Sequence, residues 1–201
     1  MSTIDYYFWL SSDWSFLGHE RLHRLAAYHG ASIRYLPVRH RELFAATGGQ
    51  LLGDRSSQRQ AYREAELRRW CDRLAFPLNM SPRHFPVDNE AALRVVTGAA
   101  LNGFVATGKL IEAYMRAVWQ EERNIADNDV VIEIASEAGL RPDQALRFLS
   151  DPTVIEELSK NVRSAERHGV FGAPSYVVND TVFWGQDRLD FLAEHLLRLR
   201  G

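Results

Sequence analysis

Tyr6-Tyr7-Phe8-Trp9-Leu10-Ser11-Ser12-Asp13-Trp14-Ser15-Phe16-Leu17 is the stretch whose reading decides the architecture. Ile4 to Leu10 is a short, aromatic-rich apolar run bounded by polar residues, which reads as a buried strand. Ser12 and Ser15 follow with two residues between them and open an amphipathic stretch, Trp14 to Tyr28. Leu17, Leu22, Leu25 and Ala26 recur there at helical spacing, and Gly30 is placed to cap the helix C-terminus. Ile33-Arg34-Tyr35-Leu36-Pro37-Val38 then alternates like a second strand, with Pro37 marking an edge or an exit. Strand, helix and strand make a βαβ unit, whose crossover is expected to be right-handed.

The far end of the chain returns to strands. Val170-Phe171-Gly172-Ala173-Pro174-Ser175 leads into Tyr176-Val177-Val178, and Asn179-Asp180 can turn that run back into Thr181-Val182-Phe183-Trp184. Gly185-Gln186-Asp187 then introduces a last helix, Arg188 to Leu199. Between the two ends the periodicity is helical. It predicts helices over Ser56 to Leu74, Asn89 to Leu101, Lys109 to Gln120, Asp127 to Glu137, Pro142 to Leu149 and Thr153 to His168. Gly48-Gly49 and Asn79-Met80-Ser81-Pro82 read as loops. A strand, a spaced polar pair at a helix N-terminus and a distant Ala-Pro before a strand is how a thioredoxin-like site is written. The fold class is therefore α/β: a thioredoxin-like βαβ…ββα sheet interrupted by an all-helical insertion. Residues 1–38 and 168–201 are expected to form the discontinuous sheet domain and 39–167 the helical domain.

Composition narrows the chemistry. An apolar content of 46% with 25% charged residues is that of a chain able to bury a core. A net charge of −2 gives no electrostatic case for a nucleic acid or an anionic membrane as partner. No apolar run approaches a membrane span, and the first residues lack a basic, cleavable leader, so a cytoplasmic location is the expectation. Cys71 is the single cysteine, which excludes an internal disulfide and a CxxC centre. Its setting reads as mid-helix and structural. The seven histidines show neither HxH nor HExxH spacing, so no metal site is expected.

A thioredoxin-like site without thiols suggests that the sulfur arrives with a cofactor. A helix N-terminus has unpaired N–H groups and a partial positive charge, so it favours a thiolate over a thiol. A free thiol titrates near 8.5, and lowering that by two units takes about 2.7 kcal/mol. Ser12 has no base beside it in sequence, so donating a hydrogen bond to a bound sulfur is easier for it than nucleophilic attack. From these residues alone Ser12 reads first as an N-cap. Ala173-Pro174 raises the functional reading: a cis bond facing Ser12 would leave the Ala173 backbone free to pair with an extended, peptide-like ligand. Gly185-Gln186-Asp187 turns into a helix, where N–H groups can take a carboxylate and Asp187 an ammonium; Asp187 as a plain helix cap is the simpler alternative.

The segments Tyr7 to Leu17, Gly169 to Ser175 and Phe183 to Leu189 together resemble the 2-hydroxychromene-2-carboxylate isomerase family, related to kappa-class glutathione transferases and periplasmic disulfide oxidoreductases. The resemblance spans essentially the whole chain. It implies a glutathione-dependent isomerase acting on an aromatic carboxylate intermediate of ring catabolism, with glutathione as a cofactor that is not consumed. By position, Ser12 resembles the catalytic serine that contacts the glutathione sulfur. Ala173 resembles the residue whose backbone pairs with the cysteinyl part, and Pro174 the cis-proline. Gly185, Gln186 and Asp187 resemble the turn that holds the γ-glutamyl end. Relatives are commonly homodimers, which makes a dimer an expectation for this chain.

Two positions depart from that pattern. Asp13 stands where the family has proline, placing a carboxylate near the sulfur unless it faces solvent or completes the cap. The loop after the second strand, Leu43-Phe44-Ala45-Ala46-Thr47-Gly48, lacks the family's lysine, which leaves the exact substrate open. Arg39, Arg41, Arg55, Arg59 and Arg63 make the early insertion basic; most read as a solvated helix face, with Arg55 the first candidate for an anionic substrate. His84 falls near a substrate-contacting aromatic position of the family, Trp14 is placed to wall an aromatic substrate, and Trp9 reads as core. Two other functions fit the same sequence: a kappa-like glutathione transferase that releases a conjugate, and a non-catalytic thioredoxin-like module that binds extended peptides.

Overall fold

In the computed structural model, which describes residues 2–200, strand β1 (Thr3–Phe8) is buried on both faces. Side chains alternate along a strand, so Ile4, Tyr6 and Phe8 enter one apolar cluster and Tyr7 another. Tyr6 stacks on Phe8 at 4.6 Å and on Tyr176 at 5.6 Å between ring centroids. Helix α1 (Asp13–Tyr28) covers the Tyr6 face with Phe16, Leu22 and Ala26. Strand β2 (Ser32–Pro37) pairs parallel to β1 and ends on its proline at the sheet edge.

Strand β3 (Ser175–Val178) pairs antiparallel to the other side of β1, and β4 (Thr181–Trp184) completes the order β2-β1-β3-β4. Asn179 and Asp180 both adopt positive φ, 47° and 63°, as a tight primed hairpin turn requires. The last helix, which follows the single turn Gln186–Arg188, packs Leu189, Leu192 and Leu196 into the α1 side of the core.

The intervening segment folds as α2 (His40–Thr47), α3 (Ser57–Leu74), α4 (Glu90–Leu101), α5 (Thr107–Trp119), α6 (Asn128–Glu137), α7 (Pro142–Phe148) and α8 (Pro152–Arg167), before the terminal α9 (Leu189–Arg198). Helices α3 to α9 begin and end within two residues of the bounds the periodicity predicts. Helix α2 lies where a loop was expected. Only Leu43 of its eight residues is buried, so no apolar stripe marks it; its visible signal is Gly48, which closes it at φ 76°. The thioredoxin-like architecture, a mixed sheet interrupted by an inserted helical region, is thus in place.

Apolar packing runs across the boundaries at residues 39 and 168. One cluster continues from β1 through α1 into α4, α5 and α6. Helix α8 covers the other sheet face, setting Val162 and Ala165 against Tyr7, Leu36 and Val177. Buried polar bonds reinforce it: Asn161 donates to the Pro37 carbonyl at 3.1 Å, and the Tyr7 hydroxyl meets Ser164 Oγ at 3.0 Å. Among the described residues no helix is long and apolar enough to cross a membrane.

His19 is enclosed between α1 and α5, where its Nε2–H donates to the Gly108 carbonyl at 2.9 Å. Burial, with His23 beside it, lowers its pKa to about 3. A histidine depressed in the folded state is neutral there while the unfolded chain takes up a proton below about 6.5. Its contribution to stability is therefore intact above that value and declines as pH falls toward about 3. The stability advantage of wild type over His19→Gln, read by urea unfolding, is expected to narrow by about 2 kcal/mol from pH 7 to pH 5. A constant difference would mean that His19 is protonated in the fold.

Candidate active site

After Phe8 the chain turns tightly, the Ser12 N–H donating to the Trp9 carbonyl at 3.2 Å, and enters α1. Ser12 is extended at φ −87° and ψ 114°, and its Oγ accepts from the Ser15 N–H at 3.1 Å. The N-cap geometry is therefore real. It uses one acceptor position of a hydroxyl that has two, plus a proton. Among the described residues nothing accepts that proton, so capping and donation to a ligand are compatible. Ser11, the other serine of the turn, is held by Asn89, whose Nδ2 donates to its Oγ at 2.7 Å.

Pairing between β1 and β3 sets Tyr7 opposite Ser175, which carries Ala173 and Pro174 to the sheet end where α1 begins. The Ala173–Pro174 bond is cis. Among the described residues no hydrogen bond uses the Ala173 N–H or carbonyl, although the residue is buried. The loop around it is pinned: Ser175 Oγ donates to the Gly172 carbonyl at 2.7 Å, and the Gly185 N–H to the Pro174 carbonyl at 2.8 Å. At Gly172 a Cβ would stand 2.5 Å from Trp184 Nε1, so any larger residue there would have to displace the indole. Phe171 packs edge-on against that indole at 4.6 Å.

A cleft of about 1280 Å³ opens beside these residues. Ser12, Asp13 and Trp14 line it at the helix end, and Gly172, Ala173 and Trp184 on the loop side. Residues 48–55 with Arg59 and Arg63 form one wall, and residues 85–90 another. Trp9, expected in the core, is half-buried: it packs against the cluster around Tyr7 and also lines the cleft, its indole 5.5 Å from each of the His40 and Phe44 rings. Burial, then Arg41, lowers the pKa of His40, against a smaller upward pull from Asp88.

The other candidates divide. Arg55 lines the cleft, but its guanidinium also holds the loop, donating through Nε and Nη2 to the Gln50 carbonyl at 3.1 and 3.0 Å. Burial and the neighbouring Arg59 and Arg63 lower its pKa, a sign of three like charges gathered on one wall. His84 is not part of the lining; its neighbours Phe85 and Pro86 are. Pro174, Gly185, Gln186 and Asp187 lie outside the lining as well. The Gln186 amide is buried against α1, where Arg21 donates to its Oε1 and its carbonyl. Asp187 stays partly exposed beside Arg188 at 3.3 Å. Gly185, at φ 112°, admits the Asp187 carboxylate, which would come within 2.4 Å of a Cβ. Cys71 is buried on α3 beside Leu17 and Leu67, and burial raises its thiol pKa.

Two polar clusters escape a linear reading. Arg39 grips Glu90 through Nε and Nη2 at 2.9 and 2.8 Å and reaches Ser159 at 2.9 Å, while Arg94 Nε donates to Glu90 at 2.8 Å. Burial alone would raise the Glu90 pKa, but the two arginines hold it below the usual range. Asp13 is the second case. Its carboxylate faces neither solvent nor its own cap alone: Oδ1 accepts from the Trp14 N–H at 2.8 Å, and Oδ2 pairs with Arg63 of α3. Burial raises the Asp13 pKa, opposed first by Arg63. Removing one partner of a buried pair strands the other charge, and Asp13 and Arg63 are only 6% and 18% exposed. Arg63→Ala is expected to cost about 3 kcal/mol in urea unfolding at pH 7, against less than about 1 kcal/mol for Arg68→Ala on the exposed face of the same helix. Equal losses would place Arg63 in the solvated class.

The fold and the helix-end site define a thioredoxin-fold protein in which serine stands where its redox kin place sulfur. The family model for the DSBA-like thioredoxin domain matches residues 3–197. A 2-hydroxychromene-2-carboxylate isomerase of Sphingobium xenophagum is 33% identical over 198 residues, covering 97% of this chain and 98% of that protein. A solved structure of a 2-hydroxychromene-2-carboxylate isomerase superposes with a TM-score of 0.83 at 26% identity, covering 98% of this chain and 95% of that one. Human glutathione S-transferase kappa 1 is 29% identical over 132 residues, 58% of each protein. The chain belongs to the 2-hydroxychromene-2-carboxylate isomerase family of DSBA-like thioredoxin-fold enzymes.

Proposed function

We propose that the protein is a glutathione-dependent isomerase acting on an aromatic carboxylate of ring catabolism, as 2-hydroxychromene-2-carboxylate isomerases do. The observation that carries the reading is the meeting, at one cleft, of the unused Ser12 hydroxyl proton with the unpaired backbone of Ala173. An extended tripeptide needs both: main-chain partners for its middle residue and a donor for its sulfur. The turn after β4 supports its γ-glutamyl end. Among the described residues the N–H groups of Gln186 and Asp187 have no acceptor in the chain, which suits an α-carboxylate, and the Asp187 carboxylate suits an ammonium. Gln186 contributes by holding the turn to Arg21 rather than by presenting its own amide.

Glutathione, held through the Ser12 hydroxyl and the Ala173 backbone, would supply a thiolate for reversible addition to a conjugated carbon of the substrate and would not be consumed. Ser12 and the α1 N-terminus stabilise negative charge at the sulfur. Arg55 and Arg59 on the cleft wall attract the substrate carboxylate, while Trp9, Trp14 and Phe44 offer apolar surface to its ring.

Mass spectrometry of a turnover mixture tests the reading: the product is expected to have the substrate's mass. The kappa-class relative favours one other outcome, a product heavier by the tripeptide, which would make the protein a transferase. Absence of glutathione binding to the folded protein in calorimetry would leave a peptide-binding module. Ser12→Ala is expected to keep the fold and the bound tripeptide but to raise the midpoint of thiolate ultraviolet absorbance by about one pH unit or more, roughly 1.4 kcal/mol. An unmoved midpoint would remove Ser12 from the activating role.

A further inference from the structure

Asp13 occupies the first position of α1, directly after Ser12, and its side chain is buried. A helix N-terminus carries roughly half a positive charge, concentrated in its first turn. An anion already seated there uses that potential and repels a second anion placed beside it. With Asp13 bare, this helix end would be a poor place for a thiolate.

Asp13 is not bare. Arg63 crosses from α3, fifty residues away in sequence, and pairs with Oδ2, while Oδ1 is taken by the Trp14 N–H. The guanidinium also lies 6.0 Å from the Phe85 ring centroid, so it is held against an apolar wall as well as by charge. Among the described residues the charged groups acting on Asp13 are Arg63 in contact and Arg55 beyond it; Cys71 of α3 is the nearby buried thiol that feels the Asp13 charge. Asp13 and Arg63 both line the cleft with Ser12.

We infer that Arg63 is a positioning residue for thiol acidity at this site: by cancelling the Asp13 carboxylate it returns the positive field of the α1 N-terminus to a sulfur bound at Ser12. The inference deepens the glutathione reading, since that reading supplies the sulfur. It assigns Arg63 an electrostatic effect on the site in addition to fastening α3 to α1.

A thiol carried by the protein itself separates the two ideas. Ser12→Cys in a Cys71→Ser background puts one titratable sulfur at the helix end, and its pKa is read from thiolate absorbance and from the pH dependence of alkylation by iodoacetamide. Adding Arg63→Gln is expected to raise the midpoint by about one pH unit. Arg63→Lys should keep it within a few tenths. Asp13→Asn, which leaves the Arg63 charge uncancelled, should lower it, and Asp13→Asn with Arg63→Gln should fall back between the two single variants. An Arg63→Gln midpoint that does not move, or that stays high after Asp13→Asn is added, overturns the inference. If Arg63→Gln does not fold, Asp13→Asn decides alone: an unchanged midpoint overturns it. Glutathione titrated into the Ser12-containing proteins is expected to show the same order of midpoints. The predicted order at the introduced thiol, with no glutathione binding to wild type, would sink the glutathione reading and leave the Arg63 inference standing.

Discussion

Burial of β1 on both faces is the constraint on which the rest of the molecule depends. A strand with one wet face tolerates a range of exit directions; a strand covered by α1 on one side and α8 on the other has one. Tyr6 and Phe8 lock it to the α1 core and Tyr7 to the α8 core, so the chain leaves the sheet at a single point and turns into a helix capped by Ser12. The antiparallel neighbour β3 arrives from the opposite direction, and its register brings Ala173 to the same end. A helix N-terminus and a stretch of unpaired backbone thus meet because one strand holds both in place.

The helical segment builds the rest of the cleft and sets its charge. Without α3 the end of α1 would carry an exposed aspartate; with it, the aspartate is buried and matched by Arg63. Without α4 the turn before Ser12 would lose Asn89, and the start of α2 would lose the Glu90 carboxylate that Arg39 grips. Such buried polar contacts stabilise less than apolar packing of the same volume, but they are costly to break singly. They hold α2, α3 and α4 at defined distances from the sheet, which is what a substrate wall needs.

Thioredoxin-fold proteins that carry their own sulfur place it where a helix dipole lowers its pKa. Serine at that position keeps the hydroxyl donor and the dipole without a sulfur of its own. On the proposed function, the architecture that serves disulfide chemistry is put to addition and release of an external thiolate, a use that needs no redox change in the protein.

Much of this was legible in the linear chain. The aromatic strand run, the helical periodicity of α3 to α9, the Asn179-Asp180 hairpin and the Ala173-Pro174 step are local signals, and local sterics and capping suffice to produce them. Helix α2 was not legible, because a helix with one buried residue has no stripe. The sequence by itself determined the βαβ…ββα order, the serine at the helix start and the absence of a second cysteine. Only the tertiary structure decided that Trp9 faces the cleft, that Gln186 turns inward to Arg21, and that Asp13 is answered by Arg63. Those outcomes depend on which distant side chain fills the space or balances the charge beside a residue, and pairings across thirty or more residues leave no periodic trace in the chain.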